Sequence, residues 1–205
     1  MDVVKPPYIS FMEVKDLVDR ITGHLHPGQE NILFDLARST PNESEILEVG
    51  SYKGRSTAAI GLACFGTGRR VTTIDTFRGE MNDTDVLGGE FFYGEFLKNM
   101  GECDLVGYVT AMIGKSSDYW EKWEKPVAML FVDGGHEYED VRGDVEHFFP
   151  WLTEGGWLVM HDVWSTTEVT RDTERVWQEI LPVLTDVHIY HNIAWARKAA
   201  GNGTA

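Results

Sequence analysis

Two apolar runs in this chain end in an acid beside a histidine. Val127-Ala128-Met129-Leu130-Phe131-Val132 stops at Asp133, with Gly134, Gly135 and His136 following, and Trp157-Leu158-Val159-Met160 stops at His161-Asp162. Neither run has a polar interruption, as expected of strands buried on both faces of a parallel sheet. Carboxylates and imidazoles that converge at neighbouring strand ends can hold a divalent cation or move a proton. A third run, Ile46-Leu47-Glu48-Val49, breaks at Gly50, with Gly54 four residues on and the helix-forming stretch Ser56 to Cys64 behind it. Glycine permits positive φ and close approach to the backbone, and the helix start aims unpaired N–H groups at the same spot, so this turn can hold a polar ligand. Its companion is Asp75, which closes the short strand Arg70 to Ile74; an acid there commonly takes the hydroxyls of a cofactor ribose.

The kind of ligand follows partly by exclusion. A dinucleotide fingerprint read from Gly50 needs glycines at 52 and 55, where the chain has Tyr52 and Arg55. The P-loop fails as well, because Gly114-Lys115-Ser116 lacks the upstream glycine. What remains, an acid two residues before a glycine-rich turn, resembles the class I S-adenosylmethionine-dependent methyltransferase motif, with Glu48, Gly50 and Gly54 kept and Tyr52 in place of the middle glycine. The resemblance implies S-adenosylmethionine as cofactor. It is expected to be lined by Glu48, Gly50, Ser51, Tyr52, Gly54 and Ser56 of the turn, by Asp75, Thr76 and Phe77 after the second strand, and by Gly114, Lys115 and Ser116 after the third.

Asp133-Gly-Gly-His136, followed by Leu-Thr-Glu-Gly-Gly and a strand ending in His161-Asp162, is similar to one branch of that family, the metal-dependent small-molecule O-methyltransferases acting on sugars and macrolide glycosides. In that branch the acid after the fourth strand and an acidic pair after the fifth hold a divalent ion. The resemblance therefore makes Asp133 and Asp162 ligands, with His161 standing in the place of the first acid of the pair. Two carboxylates plus waters suit Mg2+, while imidazole shifts preference toward Mn2+ or Zn2+; Mg2+ is the expectation. Asp133 and His136 are the expected catalytic pair, His136 taking the proton of the acceptor hydroxyl. The simpler account of His136 is a cap for the helix behind it. The implied activity is methyl transfer to a hydroxyl of a sugar or glycoside. One alternative keeps the fold and cofactor but uses His136 alone, without metal; another is a non-catalytic S-adenosylmethionine-binding subunit.

The elements that must position these groups occupy one domain's worth of chain. The 205 residues are 42% hydrophobic, enough for a sizeable core. A net charge of −15 opposes binding to nucleic acid, and no apolar run approaches 18 residues, so neither nucleic acid nor membrane is an expected partner. The N-terminus has no signal-peptide pattern and the two cysteines have no metal or redox spacing, which together give a cytoplasmic expectation. A homodimer is left open.

Residues 1–40 read as a helical cap over one edge of the sheet, with helices near Phe11 to Ile21 and Pro27 to Arg38, and 41–200 as the cofactor-binding domain. The intervening turn carries His24 and His26, whose alternation could present them to a site; a solvated turn is the simpler account. The polar, glycine-bearing stretch after Phe77, to about residue 90, is expected to cover the acceptor, and Trp164 to stand beside it. Alternating strands and helices that finish in two strands around His191-Asn192 give an α/β, Rossmann-like, doubly wound sheet. The resemblance implies seven strands, mostly parallel with an antiparallel C-terminal strand, and helices on both faces.

Overall fold

A computed structural model describes residues 9–41, 44–78, 91–164 and 171–200. Seven strands form one mixed sheet: β1 (Glu45–Val49), β2 (Val71–Asp75), β3 (Val109–Ile113), β4 (Val127–Val132), β5 (Leu152–Met160), β6 (Leu184–Tyr190) and β7 (Ile193–Lys198). The order is β3-β2-β1-β4-β5-β7-β6. Strands β1 to β5 pair in parallel and β7 runs antiparallel to both neighbours, as the sequence led us to expect. The chain reverses its direction of travel across the sheet between β1 and β4, and crevices at the carboxyl ends of strands open at such a point.

Six helices accompany the sheet: α1 (Phe11–Asp19), α2 (Gln29–Arg38), α3 (Arg55–Ala63), α4 (Tyr93–Glu102), α5 (Tyr138–Phe148) and α6 (Arg171–Ile180). Period-two alternation sorts β1 between two cores. Ile46 joins the buried residues of α1, α2, α3 and α4 on one face, while Leu47 and Val49 join those of α5 and α6 on the other. The N-terminal helices do not cap a sheet edge. They pack on α3, and Trp157 of β5 donates its indole N–H to Ser39 at 3.1 Å, so they cover the face above the central strands. Their apolar stripes, Phe11, Val14 and Val18 on α1 and Leu33, Phe34 and Ala37 on α2, recur at helical spacing and are buried.

Boundaries differ from the sequence reading where turn signals misled. Gly155-Gly156 lies within β5, which starts at Leu152, and β6 starts at Leu184 rather than near Val187. The expected cover at 79–90 lies outside the described residues. No helix among the described residues is long and apolar enough to cross a membrane.

Candidate functional site

A cleft of about 760 Å³ opens at the carboxyl ends of β1, β2 and β4. One wall is the turn after β1. Gly50 has φ +88°, and a Cβ there would lie 2.0 Å from the Asp133 carbonyl oxygen, so only glycine lets the ends of β1 and β4 close on each other. Gly54, at φ +92°, is the N-cap of α3 and contributes no side-chain cap, so the first N–H groups of that helix are available to an anionic ligand group. Ser51, Tyr52 and Ser56 line the cleft beside Gly50.

Asp75 also lines it, engaged differently from the expectation. Its Oδ2 accepts the N–H groups of Ser51 (2.6 Å) and Tyr52 (2.7 Å), and its Oδ1 accepts that of Phe77 (2.6 Å). The carboxylate thus clamps the glycine turn from β2. The Ser51 hydroxyl adds a long contact to Oδ2 at 3.4 Å, so a ribose hydroxyl would have to take the place of that weak bond or share the carboxylate's remaining lone pair. Thr76, Lys115 and Ser116 stand along the same cleft, the last two on the loop after β3.

Three expected cofactor residues do not reach it. Glu48 is fully buried on the α3 side of β1, where its Oε2 accepts the Thr57 hydroxyl at 2.5 Å. Burial pushes its carboxyl up to about 7 against the pull of the Ser56, Thr57 and Thr73 hydroxyls, and Oε1 has no hydrogen bond of good geometry. Strand alternation placed Leu47 and Val49 on the opposite face, so Glu48 had to turn away from the open end. Phe77 is fully buried against Tyr93 and Phe96, with ring centroids 5.0 Å apart in each case. Gly54 shapes the turn from behind, a Cβ there meeting Met100 at 2.7 Å. Trp164, expected beside the acceptor, is 38% exposed and does not line the cleft.

The acid–histidine groups do converge. Asp133, His136 and Asp162 each offer a ligand atom within 4.8 Å of the others. His136 Nε2 lies 2.8 Å from Asp162 Oδ2 in a hydrogen bond, and the N-cap position of α5 belongs to Glu137, so His136 serves Asp162 and not the helix. His161 is 5% exposed. Its Nδ1 lies 3.1 Å from Asp133 Oδ1 and 3.2 Å from Asp162 Oδ2, close enough for an ion pair yet out of line for a directed hydrogen bond to either. Burial alone would lower the His161 pKa, but the two carboxylates outweigh it and push the imidazole up to about 10. Burial likewise works to raise Asp162, but its hydrogen bonds and charge interactions with His136 and His161 hold it well below the usual carboxylate range.

This donor set fits a divalent ion. Cis ligands of an octahedral ion with metal–oxygen distances of about 2.1 Å stand roughly 3 Å apart, and the spacings of 3.1 and 3.2 Å from His161 Nδ1 to Asp133 Oδ1 and Asp162 Oδ2 match that edge. Nδ1 of His161 faces the space between the two carboxylates, where such an ion would sit.

The turn does present His24 and His26 to the cleft, which both line; His24 packs on Tyr52 and His26 stacks on His191, at 5.3 and 5.6 Å between ring centroids. Two other residues escaped the sequence reading. Gln29 and Asn192 belong to the hydrogen-bond network around His161 and Asp162. Gly-Gln at a helix start and His-Asn at a hairpin are ordinary turn residues, and nothing local distinguished them.

The family model described as a methyltransferase domain matches residues 47–163, more than half of the chain. Among solved structures, the chain is similar to an O-methyltransferase from Bacillus cereus in complex with SAH, with 17% identity over 96% of this chain and 94% of that one and a TM-score of 0.63. It is also similar to the SAH-bound methyltransferase PaMTH1 of Podospora anserina, with 14% identity, 93% and 88% coverage and a TM-score of 0.68. A third is the O-methyltransferase TomG of Streptomyces achromogenes, involved in tomaymycin synthesis and solved with SAM, with 15% identity, 97% and 93% coverage and a TM-score of 0.62. At these identities the likeness is one of fold.

Proposed function

The chain belongs to the methyltransferase-domain family, and on that premise we propose that it transfers the methyl group of S-adenosylmethionine to a hydroxyl of a small acceptor, a sugar or glycoside, assisted by a divalent cation. The observation that carries this reading is that the glycine turn at Gly50 and the group Asp133, His136 and Asp162 line one cleft. The SAM and SAH in the neighbouring structures support the choice of cofactor.

When bound, the cofactor supplies an electrophilic methyl carbon on a sulfonium, and the cation supplies the charge that lowers the pKa of an acceptor hydroxyl. The protein's part is positioning and proton transfer. Gly50, Ser51 and Tyr52 of the turn and the uncapped start of α3 would hold the cofactor's amino-acid end, Asp75 its ribose, and Lys115 and Ser116 its adenine; all but the helix start are cleft-lining residues. Asp133, Asp162 and His161 Nδ1 would hold the cation. His136, hydrogen-bonded through Nε2 to Asp162, takes the hydroxyl proton as the acceptor oxygen bonds to the methyl carbon and the S–C electron pair returns to sulfur. Holding the oxygen in line behind that bond supplies much of the rate.

A second reading is favoured by one observation, the position of His161 Nδ1 between the carboxylates of Asp133 and Asp162. A protonated ring there supplies positive charge itself, and His136 then acts without an ion. Metal analysis of the purified protein and turnover in excess chelator separate the two. Asp133→Ala is expected to abolish methyl transfer across a panel of sugars and glycosides while SAH still binds in calorimetry. Full turnover by that variant sinks both readings, and SAH binding without turnover by the wild type on any acceptor leaves only a binding protein.

A further inference from the structure

Gln29, the first residue of α2, is completely buried although its side chain is polar, and it stands 132 residues from the histidine it meets. Its Oε1 accepts the backbone N–H of His26 at 2.7 Å and faces His161 Nε2 at 3.1 Å. Its Nε2 donates to Asn192 Oδ1 at 2.7 Å, and Asn192 Nδ2 in turn donates to Asp162 Oδ1 at 2.7 Å. Each bond fixes the sense of the next. A backbone N–H can only donate, so the amide atom beside His26 is the oxygen, and the His161 nitrogen facing that oxygen must carry a hydrogen. With N–H fixed on Nε2, Nδ1 is the nitrogen turned toward Asp133 and Asp162. The same chain of bonds also holds Asp162 Oδ1 through Asn192, leaving Oδ2 to face His136 and His161.

We infer that Gln29 is a positioning residue for the cation: by fixing the His161 tautomer it makes Nδ1 a metal ligand where an acid would otherwise serve, and through Asn192 it aims Asp162. The inference rests on the metal-assisted reading above. Partners that orient a ligating imidazole through its other nitrogen typically change metal affinity by about 10- to 100-fold when removed. Gln29 does this from the N-terminal helical segment, so α2 completes a site otherwise built at the ends of β4 and β5. The His26 amide in the same network belongs to the turn lining the cleft, which ties that wall of the cleft to the residues proposed to hold the cation.

The test is a Mn2+ titration of the full chain followed by electron paramagnetic resonance, in the wild type, Gln29→Met and Gln29→Glu, with SAH affinity measured alongside. Gln29→Met keeps the buried volume and is expected to weaken Mn2+ binding about 10- to 100-fold while SAH affinity stays within about twofold. Gln29→Glu keeps an oxygen facing both His26 N–H and His161 Nε2 but loses the donor to Asn192, and is expected to recover part of the loss. Wild-type affinity in Gln29→Met, or equal loss in both variants, overturns the inference and leaves the metal reading standing; failure of the wild type to take up Mn2+ overturns the metal reading itself. Should Gln29→Met not fold, the ring nitrogens of His161 in the wild type decide by 15N resonance on adding Mg2+. A proton on Nε2 and none on Nδ1 in the Mg2+-loaded protein supports the inference, and any other pattern overturns it.

Discussion

Gly50 and Asp133 are in backbone contact: a Cβ at position 50 would lie 2.0 Å from the Asp133 carbonyl oxygen, and Asp133 N–H donates to Val49 O at 2.8 Å. The glycine turn after β1 and the loop bearing Asp133 are therefore one packed unit across the β1–β4 junction. Gly50→Ala combines this clash with a positive φ that alanine disfavours, and is expected to cost about 2 kcal/mol or more of stability. Because the two loops move together, it should weaken SAH and Mn2+ binding alike, each by about tenfold or more, in parallel titrations. Loss of SAH binding alone would show that the loops are independent.

Glu48 makes stability fall as pH rises. Its folded pKa, about 7, lies above the ordinary carboxylate value of 4.5 because it is buried, so its contribution is fully present below 4.5 and lost as pH rises through 7. Between pH 5 and 8 the loss is about 2 to 3 kcal/mol. Glu48→Gln keeps the shape and stays neutral, so urea unfolding at the two pH values should show a smaller decline in this variant by about that amount. Equal declines would mean that the carboxylate finds a compensating partner when it ionises.

Arg55 fastens the N-terminal helices to the cofactor turn. Its guanidinium lies 2.6 Å from Glu30 Oε1 and 3.3 Å from Asp19 Oδ1 and donates to the Ile21 carbonyl at 2.9 Å, while Glu30 is 3% exposed. Arg55→Met leaves a buried carboxylate without its counter-ion and is expected to cost about 3 kcal/mol. Arg55→Met with Glu30→Met should cost less than Arg55→Met alone, because the stranded charge goes with its partner. Strictly additive losses in urea unfolding would argue against the pair.

The parts of the site that lie at strand ends were legible because a buried strand announces its own end. The apolar run 127–132 fixed Asp133, the run to Met160 fixed His161 and Asp162, and the break at Gly50 fixed the turn. Side-chain direction was less legible. The motif match made Glu48 a cofactor contact, yet the period-two alternation of β1 sends it under α3; of the two places open to Phe77 two residues beyond Asp75, beside the adenosine or in the core, it takes the core beside α4. Gln29 and Asn192 were invisible because their roles arise only when α2 and the β6–β7 turn meet, 163 residues apart. No pattern within a window of ordinary length carries that information.

His136 is the residue whose chemical role most needs separating from its neighbours, since its Nε2 lies 2.8 Å from an Asp162 oxygen and within 4.8 Å of a ligand atom of Asp133. With the ring proton on Nε2 toward Asp162, the basic lone pair is on Nδ1, the arrangement a general base requires. Glutamine at 136 can still donate to Asp162 but cannot accept a proton as a base. His136→Gln is therefore expected to lower kcat by about 10²- to 10⁴-fold and to leave SAH and Mn2+ affinities within a few-fold. A tenfold or greater fall in Mn2+ affinity would instead make His136 a cation ligand, and a kcat within a few-fold of wild type would assign the proton to another group.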